Sequence, residues 1–415
     1  MLERLERTYF ALFREYPSLI TTAVITGAGQ MAFALMNIYA LPIFLKDELG
    51  LSGLAIGATA TTFLAFETLF KFPMGRLSDH HGRKPFVVLG PLLICLNPAV
   101  VVHLPARLWF LVFGLRAADG AGGGALWPPL FAMIGDLVRS RSRAAAMAVI
   151  STVYGAATAL GILVGAVIAH LTGDHRTPFY IVSGLFAFAA AVGYFGLPRV
   201  VHCPEEPPAP VSLESPPAET IEAAGHTDYP LPLAMLISGL MVMAGMTLAS
   251  FLVLYIRELA LSRVDMIVLV VVLGGPAVVL ALPLAHVADR RGRPLAVRSF
   301  LVTAALMMWL LPMCRTAIPL AVVGGVLVLS IIVGIPAWLA LVTDLAPASR
   351  RGRIMGIITT AEGIGAGIGP LLGGWLWDQQ HHYIFYGAAV LLTMAALVAA
   401  LTLHNKGEVR QQLRS

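Results

Sequence analysis

The sequence predicts an all-α membrane protein, with twelve transmembrane helices in two pseudo-symmetric six-helix bundles. Three observations lead there. Hydrophobic residues make up 58% of the 415 and charged residues only 12%, against about 25% charged in a soluble domain. The apolar residues come in runs of roughly 20, the length a helix needs to cross a hydrocarbon core. Matching residues recur in the two halves of the chain at a nearly constant offset, so the chain is doubled. The net charge of +5 comes from short Lys and Arg clusters between the apolar runs, which is a topology signal and not a nucleic-acid face. Cys95, Cys203 and Cys314 have no disulfide or metal spacing, which excludes a disulfide-stapled secreted domain.

Taken in order, residues 1–16 set Leu2, Leu5, Tyr9, Leu12, Phe13 and Tyr16 near one helical face with Glu and Arg opposite. They are expected to form an amphipathic cytoplasmic helix lying on the membrane surface. No cleavable signal peptide is expected ahead of the first span. Spans follow at about 19–45, 52–75, 85–104, 107–135, 144–171 and 178–198, then at 231–256, 264–288, 295–314, 317–343, 354–377 and 383–403. Barrel strands would be short and alternating, which these runs are not. Between the two sets lies 199–230, which contains EEPPAPVSLESPPAET and is too rich in Pro and Glu to build a core. The expected organisation is an N-terminal bundle at 17–198, a cytoplasmic disordered linker at 199–230, a C-terminal bundle at 231–404 and a basic tail at 405–415. Nineteen Lys and Arg fall in segments on the N-terminal side of the membrane against six on the other. That bias places both termini and the linker in the cytoplasm, and a bacterial inner membrane is the expected location.

The repeat fixes the two-bundle reading. Leu77, Asp79, Gly82 and Arg83 correspond to Val287, Asp289, Gly292 and Arg293 at an offset of 210. Pro128, Asp136, Met147, Gly155, Gly161 and Gly165 correspond to Pro336, Asp344, Met355, Gly363, Gly369 and Gly373 at an offset of 208. Parallel repeats of this kind are related by an axis along the membrane normal and alternate access by rocking. The doubling therefore argues for transport over catalysis.

The loop GRLSDHHGRKP, Gly75 to Pro85, resembles the major facilitator superfamily. Gly75, Leu77, Asp79, Gly82, Arg83 and Pro85 fit the family pattern, and His80 stands where the family has Arg. The resemblance implies the family's twelve-helix fold and a conformational latch made by Gly75, Asp79, Gly82 and Arg83, with a degenerate copy at Asp289 and Arg293. It implies that Asp79 and Arg83 steady the outward-facing state and touch no substrate. The run LRAADGAGGG, Leu115 to Gly124, is similar to the family's span-four motif, and there Arg116 corresponds to the Arg linked to proton movement in drug:proton antiporters. The Gly-Pro-x-x-Gly-Gly ending that antiporters of the family often carry in span five occurs here in span eleven, at Gly369 to Gly374, whereas Ala166 takes the Pro place in span five.

Charges inside the spans are the candidates for chemistry, because a charge at midplane costs at least ~2.5–3.5 kcal/mol and normally faces a cavity or partner. Arg116 and Asp119 are three apart and share a helical face. Glu67 is either a proton carrier or the partner of Lys71, one turn away. Glu362 in span eleven is the comparable acid of the second half, or a partner of Arg350, Arg351 or Arg353. Glu67, Arg116, Asp119 and Glu362 are thus the proton-coupling candidates. Gln30, Asn37, Trp127, Tyr154, Tyr255 and Trp338 are the polar and aromatic candidates for lining a substrate cavity.

A Walker loop and a metalloprotease helix are both missing from the sequence. No nucleophile lies beside a base at one depth either. The expectation is therefore no enzyme, no cofactor and no metal. The leading functional reading is a secondary transporter, acting as a monomer in the lipid bilayer. It would exchange protons for small amphipathic or lipophilic compounds as a multidrug-type antiporter. Proton-coupled metabolite uptake or lipid translocation through the same fold is the alternative.

Overall fold

The computed structural model describes residues 12–139, 142–198, 231–259, 292–345 and 351–403, with Ser262 and Asp265. It divides into two compact units, Met1–Pro210 and Val211–Ser415. Unit 1 contains α1 (Ser18–Asp47), α2 (Gly53–His81), α3 (Arg83–Val101), α4 (Leu111–Leu137), α5 (Arg143–Thr172) and α6 (Thr177–Gly196). Unit 2 contains α7 (Leu231–Ala249), the short α8 (Leu252–Glu258), α9 (Arg293–Leu310), α10 (Ala317–Leu345), α11 (Arg351–Gln379) and α12 (Tyr383–Thr402). Apart from Asp265, the predicted span 264–288 lies outside the described residues, as do Asp289, most of 1–16, the segment 199–230 and 405–415.

Ten described helices are long and apolar enough to cross a membrane. The helix α4 has the length, 27 residues or about 40 Å at 1.5 Å per residue. Its Arg116, Asp119 and glycine run make it less apolar than the rest. Large side chains such as Leu69, Phe72, Phe195 and Leu401 point outward and are exposed. In a soluble domain that would be a liability, but here it is the lipid-facing surface.

The same pairings hold each unit together. In unit 1, α1 packs on α5 and α6, and α3 packs on α4 and α6; in unit 2, α7 packs on α11 and α12, and α9 on α10 and α12. The glycines of the sequence repeat explain the closest of these crossings. A methyl group at Gly161 would stand 2.5 Å from the Met31 carbonyl oxygen, and one at Gly369 2.7 Å from that of Met243. Gly165 lies against Leu35 and Tyr39 as Gly373 lies against Thr247 and Phe251. Small residues at these points let helices approach to backbone contact, the main source of attraction between helices in lipid.

Two further local features position the site. A π-turn at Leu35–Ala40 interrupts α1 just before Pro42, and such bulges re-aim side chains; Asn37 sits on it. Gly82 joins α2 to α3 at φ 86°, and Gly292 precedes α9 at φ 96°. Both occupy a backbone region that side chains with a Cβ rarely adopt, so a glycine of the same conformation precedes α3 and α9.

The beginning of the described chain is also packed. Leu12 is buried with Leu19, Ile134 and Ile150, and Phe13 and Tyr16 lie beside that cluster. The face predicted to rest on the membrane therefore covers the ends of α4 and α5 over its described part.

Candidate functional site

The buried charges of unit 1 form one network. Arg116 and Asp119 on α4 are each 1% exposed. Arg116 Nη1 donates to Asp119 Oδ2 at 2.8 Å. Asn97 Nδ2, from α3, donates to Asp119 Oδ1 at 2.7 Å. Arg116 Nη2 donates to Asn37 Oδ1 on the π-turn of α1, and the Phe63 ring of α2 covers the guanidinium at 4.5 Å. Arg116 Nε has no acceptor among the described residues. Four helices thus meet on one ion pair. The adjoining cavity is only about 10 Å³, at the threshold for a single water. The space beside the ion pair has room for about one water at most.

Glu67 lies one layer away. Its carboxylate accepts from Lys71 Nζ at 2.9 Å, and Lys71 is half exposed while Glu67 is buried. Of the two sequence readings of Glu67, the internal pair with Lys71 is the contact formed. Glu67 is held there by α4, whose Gly120, Gly123 and Gly124 leave room for it; a methyl at Gly120 would stand 2.4 Å from the Phe63 carbonyl oxygen.

The remaining unit 1 candidates adjoin one another: Tyr154 hydrogen-bonds to Gln30, and Trp127 lines the same small cavity as Asn37, Arg116 and Asp119. Gln30 donates to Thr158 at 2.9 Å. Trp127 is 8% exposed in a core cluster with Ile25, Val87 and Leu130, and it meets Tyr154 edge-on at 5.6 Å. Tyr154 itself is partly open.

The loop between α2 and α3 works inside unit 1. Arg83 is paired with Asp79 one turn earlier, donates to Ser78 at 2.8 Å and reaches Asp136 at the end of α4 at 3.3 Å. Lys84 donates to the Leu197 carbonyl just beyond α6 at 2.7 Å. Both cations are drawn into the protein, because helix ends offer free carbonyls and negative dipole ends to a cation. Gly75 passes α4 near Pro128. Asp289 is outside the described residues, and Arg293 opens α9.

Unit 2 has a different kind of site. A cleft of about 450 Å³ runs between α7, α9, α10, α11 and α12. It is lined by apolar side chains including Met241, Met246 and Met308, with Trp338 and Glu362 as its polar corner. Trp338 Nε1 donates to Ser238 at 2.8 Å, and Ser238 hydrogen-bonds to Glu362. This corner was expected to be either a proton site or an ordinary pair with Arg350, Arg351 or Arg353. Arg350 and the side chains of the other two are outside the described residues, and the described partner of Glu362 is Ser238. Tyr255 does not join the cleft. It is 4% exposed and packs edge-on to Phe385 at 4.8 Å.

Asn97, Phe63 and Ser238 were missed from sequence. Asn97 did carry a signal, as a lone amide inside an apolar span. Phe63 and Ser238 carried none, since Phe and Ser are ordinary in membrane helices.

Comparison with known proteins agrees with this architecture. The sequence model of the Major Facilitator Superfamily matches residues 19–335 and 234–414. The inner membrane transport protein YajR of Escherichia coli is 25% identical over 383 residues, covering 89% of this chain and 77% of that protein. The multi-drug resistance efflux pump PmrA of Streptococcus pneumoniae is 25% identical over 372 residues, covering 86% and 89%. Multidrug resistance protein 2 of Bacillus subtilis is 22% identical over 355 residues, covering 85% and 87%. Among solved structures, a D-xylose-proton symporter superposes with a TM-score of 0.70 at 14% identity, covering 94% of this chain and 98% of its own. The nucleoside transporter NupG gives a TM-score of 0.69 at 12% identity, covering 93% and 100%. At those identities the two structures speak for the fold alone. The buried span-four ion pair, the repeated glycine crossings and the matched model lead to one conclusion: the chain belongs to the major facilitator superfamily, as a membrane transporter that resembles its drug:proton antiporters.

Proposed function

We propose that this transporter exports small amphipathic or lipophilic compounds in exchange for protons. The observation that carries the reading is the Asp119 carboxylate, buried between α3 and α4 and tied to Arg116 and Asn97. Adding a proton to Asp119 removes the charge that holds Arg116, and with it the reason for Asn37 on α1 and Asn97 on α3 to converge there. Protonation is thereby linked to how three helices pack, which is what coupling requires. Glu67, with its partner Lys71, serves as a second exchange site. Inward proton flow supplies the drive, at about 2.3 kcal/mol per charge per 100 mV of potential. The names of the multidrug relatives support the choice of cargo class. The latch is the Gly75–Pro85 loop, acting through the Arg83 junction of α2, α3 and α4, with Arg293 in the equivalent position. Both termini and residues 199–230 face the cytoplasm in this reading, and the two bundles are 17–198 and 231–404.

Acid-loaded inside-out vesicles containing the protein test it. Addition of tetraphenylphosphonium, ethidium or a neutral lipophilic drug should release protons in wild type. Asp119→Asn should abolish the release, and Glu67→Gln should reduce it. Release that persists in both variants refutes these residues as carriers. A wild type silent to the whole panel refutes antiport and favours metabolite uptake or lipid translocation.

A further inference from the structure

Glu67 and the Arg116–Asp119 pair lie close together and are not joined. On α2, Lys71 is half exposed and holds the Glu67 carboxylate at 2.9 Å. Among the described residues no hydrogen bond links Glu67 to Arg116, Asp119, Asn97 or Asn37, although its charge acts on Arg116. Between them stands the Phe63 ring, one turn before Glu67. Phe63 is 4% exposed, covers the Arg116 guanidinium at 4.5 Å and lines the small cavity beside the ion pair, which Glu67 does not. Both side chains nevertheless meet at Gly123 on α4. A methyl there would lie 3.5 Å from the tip of the Phe63 ring and 3.3 Å from Glu67 Cγ.

Side chains can move here where the helices cannot. α2 and α4 touch backbone to backbone, since a methyl at Gly120 would stand 2.4 Å from the Phe63 carbonyl oxygen and one at Gly124 2.9 Å from that of Glu67. The ring turns about its own bonds, and Phe33, half-buried at 5.4 Å and tilted by 53°, is the neighbour able to give way. Arg116 Nε is buried without an acceptor among the described residues. A buried donor in that state favours any rearrangement that brings it an acceptor.

From this arrangement we propose that Phe63 is the gate between the two acids. It is a positioning residue that keeps them apart at rest and admits a single water between them when its ring turns. The proposal rests on the reading of Glu67 and Asp119 as exchange sites and deepens it. Glu67 takes a proton from the aqueous side and, now neutral, releases Lys71. With the ring aside, a water accepts from Arg116 Nε. That water receives the Glu67 proton as it gives one of its own to the Asp119 carboxylate. Glu67 is again a carboxylate and re-pairs with Lys71, Asp119 is neutral, and the water is unchanged, so one proton has moved and none is lost. The acids are loaded in turn, and no continuous file of water joins the ion pair to the bulk.

Exchange of the Arg116 Nε proton with solvent deuterium reads the gate, because such exchange reports local opening. The purified full-length protein suffices, with no compound and no gradient. In an NMR spectrum of nitrogen-labelled protein the resonance is identified by its loss in Arg116→Lys. Wild type should exchange slowly. Phe63→Ala should speed exchange about tenfold or more, and Phe63→Leu by less. Adding Glu67→Gln to either should remove most of the gain, because the water that touches Arg116 Nε then lacks its proton-exchanging neighbour. A gain that survives Glu67→Gln makes the ring ordinary packing and overturns the gate. Unchanged exchange in a folded Phe63→Ala overturns it as well. If the alanine variant fails to fold, Phe63→Leu, which loses less bulk, decides by the same two comparisons. A wild type silent to every compound in vesicles fells the export reading, and the gate then stands or falls on exchange alone.

Discussion

Replacing Asp119 with Leu should destabilise unit 1 severely, and replacing Arg116 with Met in the same chain should repair most of the damage. In the single variant Arg116 remains 1% exposed with its counter-charge gone, and both the 2.8 Å bond from Arg116 and the 2.7 Å bond from Asn97 lose their acceptor. Hydrogen bonds to charged groups contribute about 1.5–3 kcal/mol each, and breaking a buried pair costs about 3–5 kcal/mol in soluble proteins. Polar contacts between membrane helices measure lower, up to about 1.7 kcal/mol. About 3 kcal/mol is the value between these scales. For a unit of this size 1 kcal/mol moves Tm by roughly 2–4 °C, so the single variant should lose about 6–12 °C.

The double variant has no stranded charge. It should return to within about 1–2 kcal/mol of wild type, because Asn97 and Asn37 still lose their partners at the pair and such polar contacts between membrane helices average about 0.6 kcal/mol each. The measurement is thermal unfolding of purified protein in detergent, followed by tryptophan fluorescence and loss of the monodisperse peak. An Asp119→Leu protein that unfolds with wild type, or a double variant no better than the single one, refutes the claim that this pair is held at the expense of stability. A restored fold with proton release still absent would separate the role of the pair in exchange from its role in packing.

Three further outcomes follow from the geometry. Gly120→Ala places a methyl 2.4 Å from the Phe63 carbonyl oxygen, and since both sides are helix backbone it should cost about 1–3 kcal/mol; Gly114→Ala on the same helix has open space and should cost nothing, a contrast the same unfolding assay reads. Gly82→Ala and Gly292→Ala force an alanine to φ 86° and 96° and should each lose about 1–3 kcal/mol, seen as reduced yield of folded protein; equal effects in both would confirm that the loop is a true repeat. Lys84→Met removes the 2.7 Å bond to the Leu197 carbonyl and should cost about 1 kcal/mol, with Lys84→Arg retaining most of it in an unfolding titration.

Much of this molecule is determined by the order of its residues. Apolar runs of about 20 residues must become helices in lipid, because no other open structure satisfies its own backbone there. The glycine register at Gly161, Gly165, Gly369 and Gly373 marked where helices would touch, since only residues without a side chain permit backbone contact. The ion pair at Arg116 and Asp119 was legible because three-residue spacing places two side chains on one helix face. The partners of that pair depended on tertiary structure. Asn97 and Asn37 come from helices whose rotation about their own axes is set by packing, and in α1 by a π-turn that no spacing rule marks. Tertiary structure also decided that Arg83 and Lys84 turn inward, because the carbonyls and carboxylate they bind belong to helix ends distant in the chain.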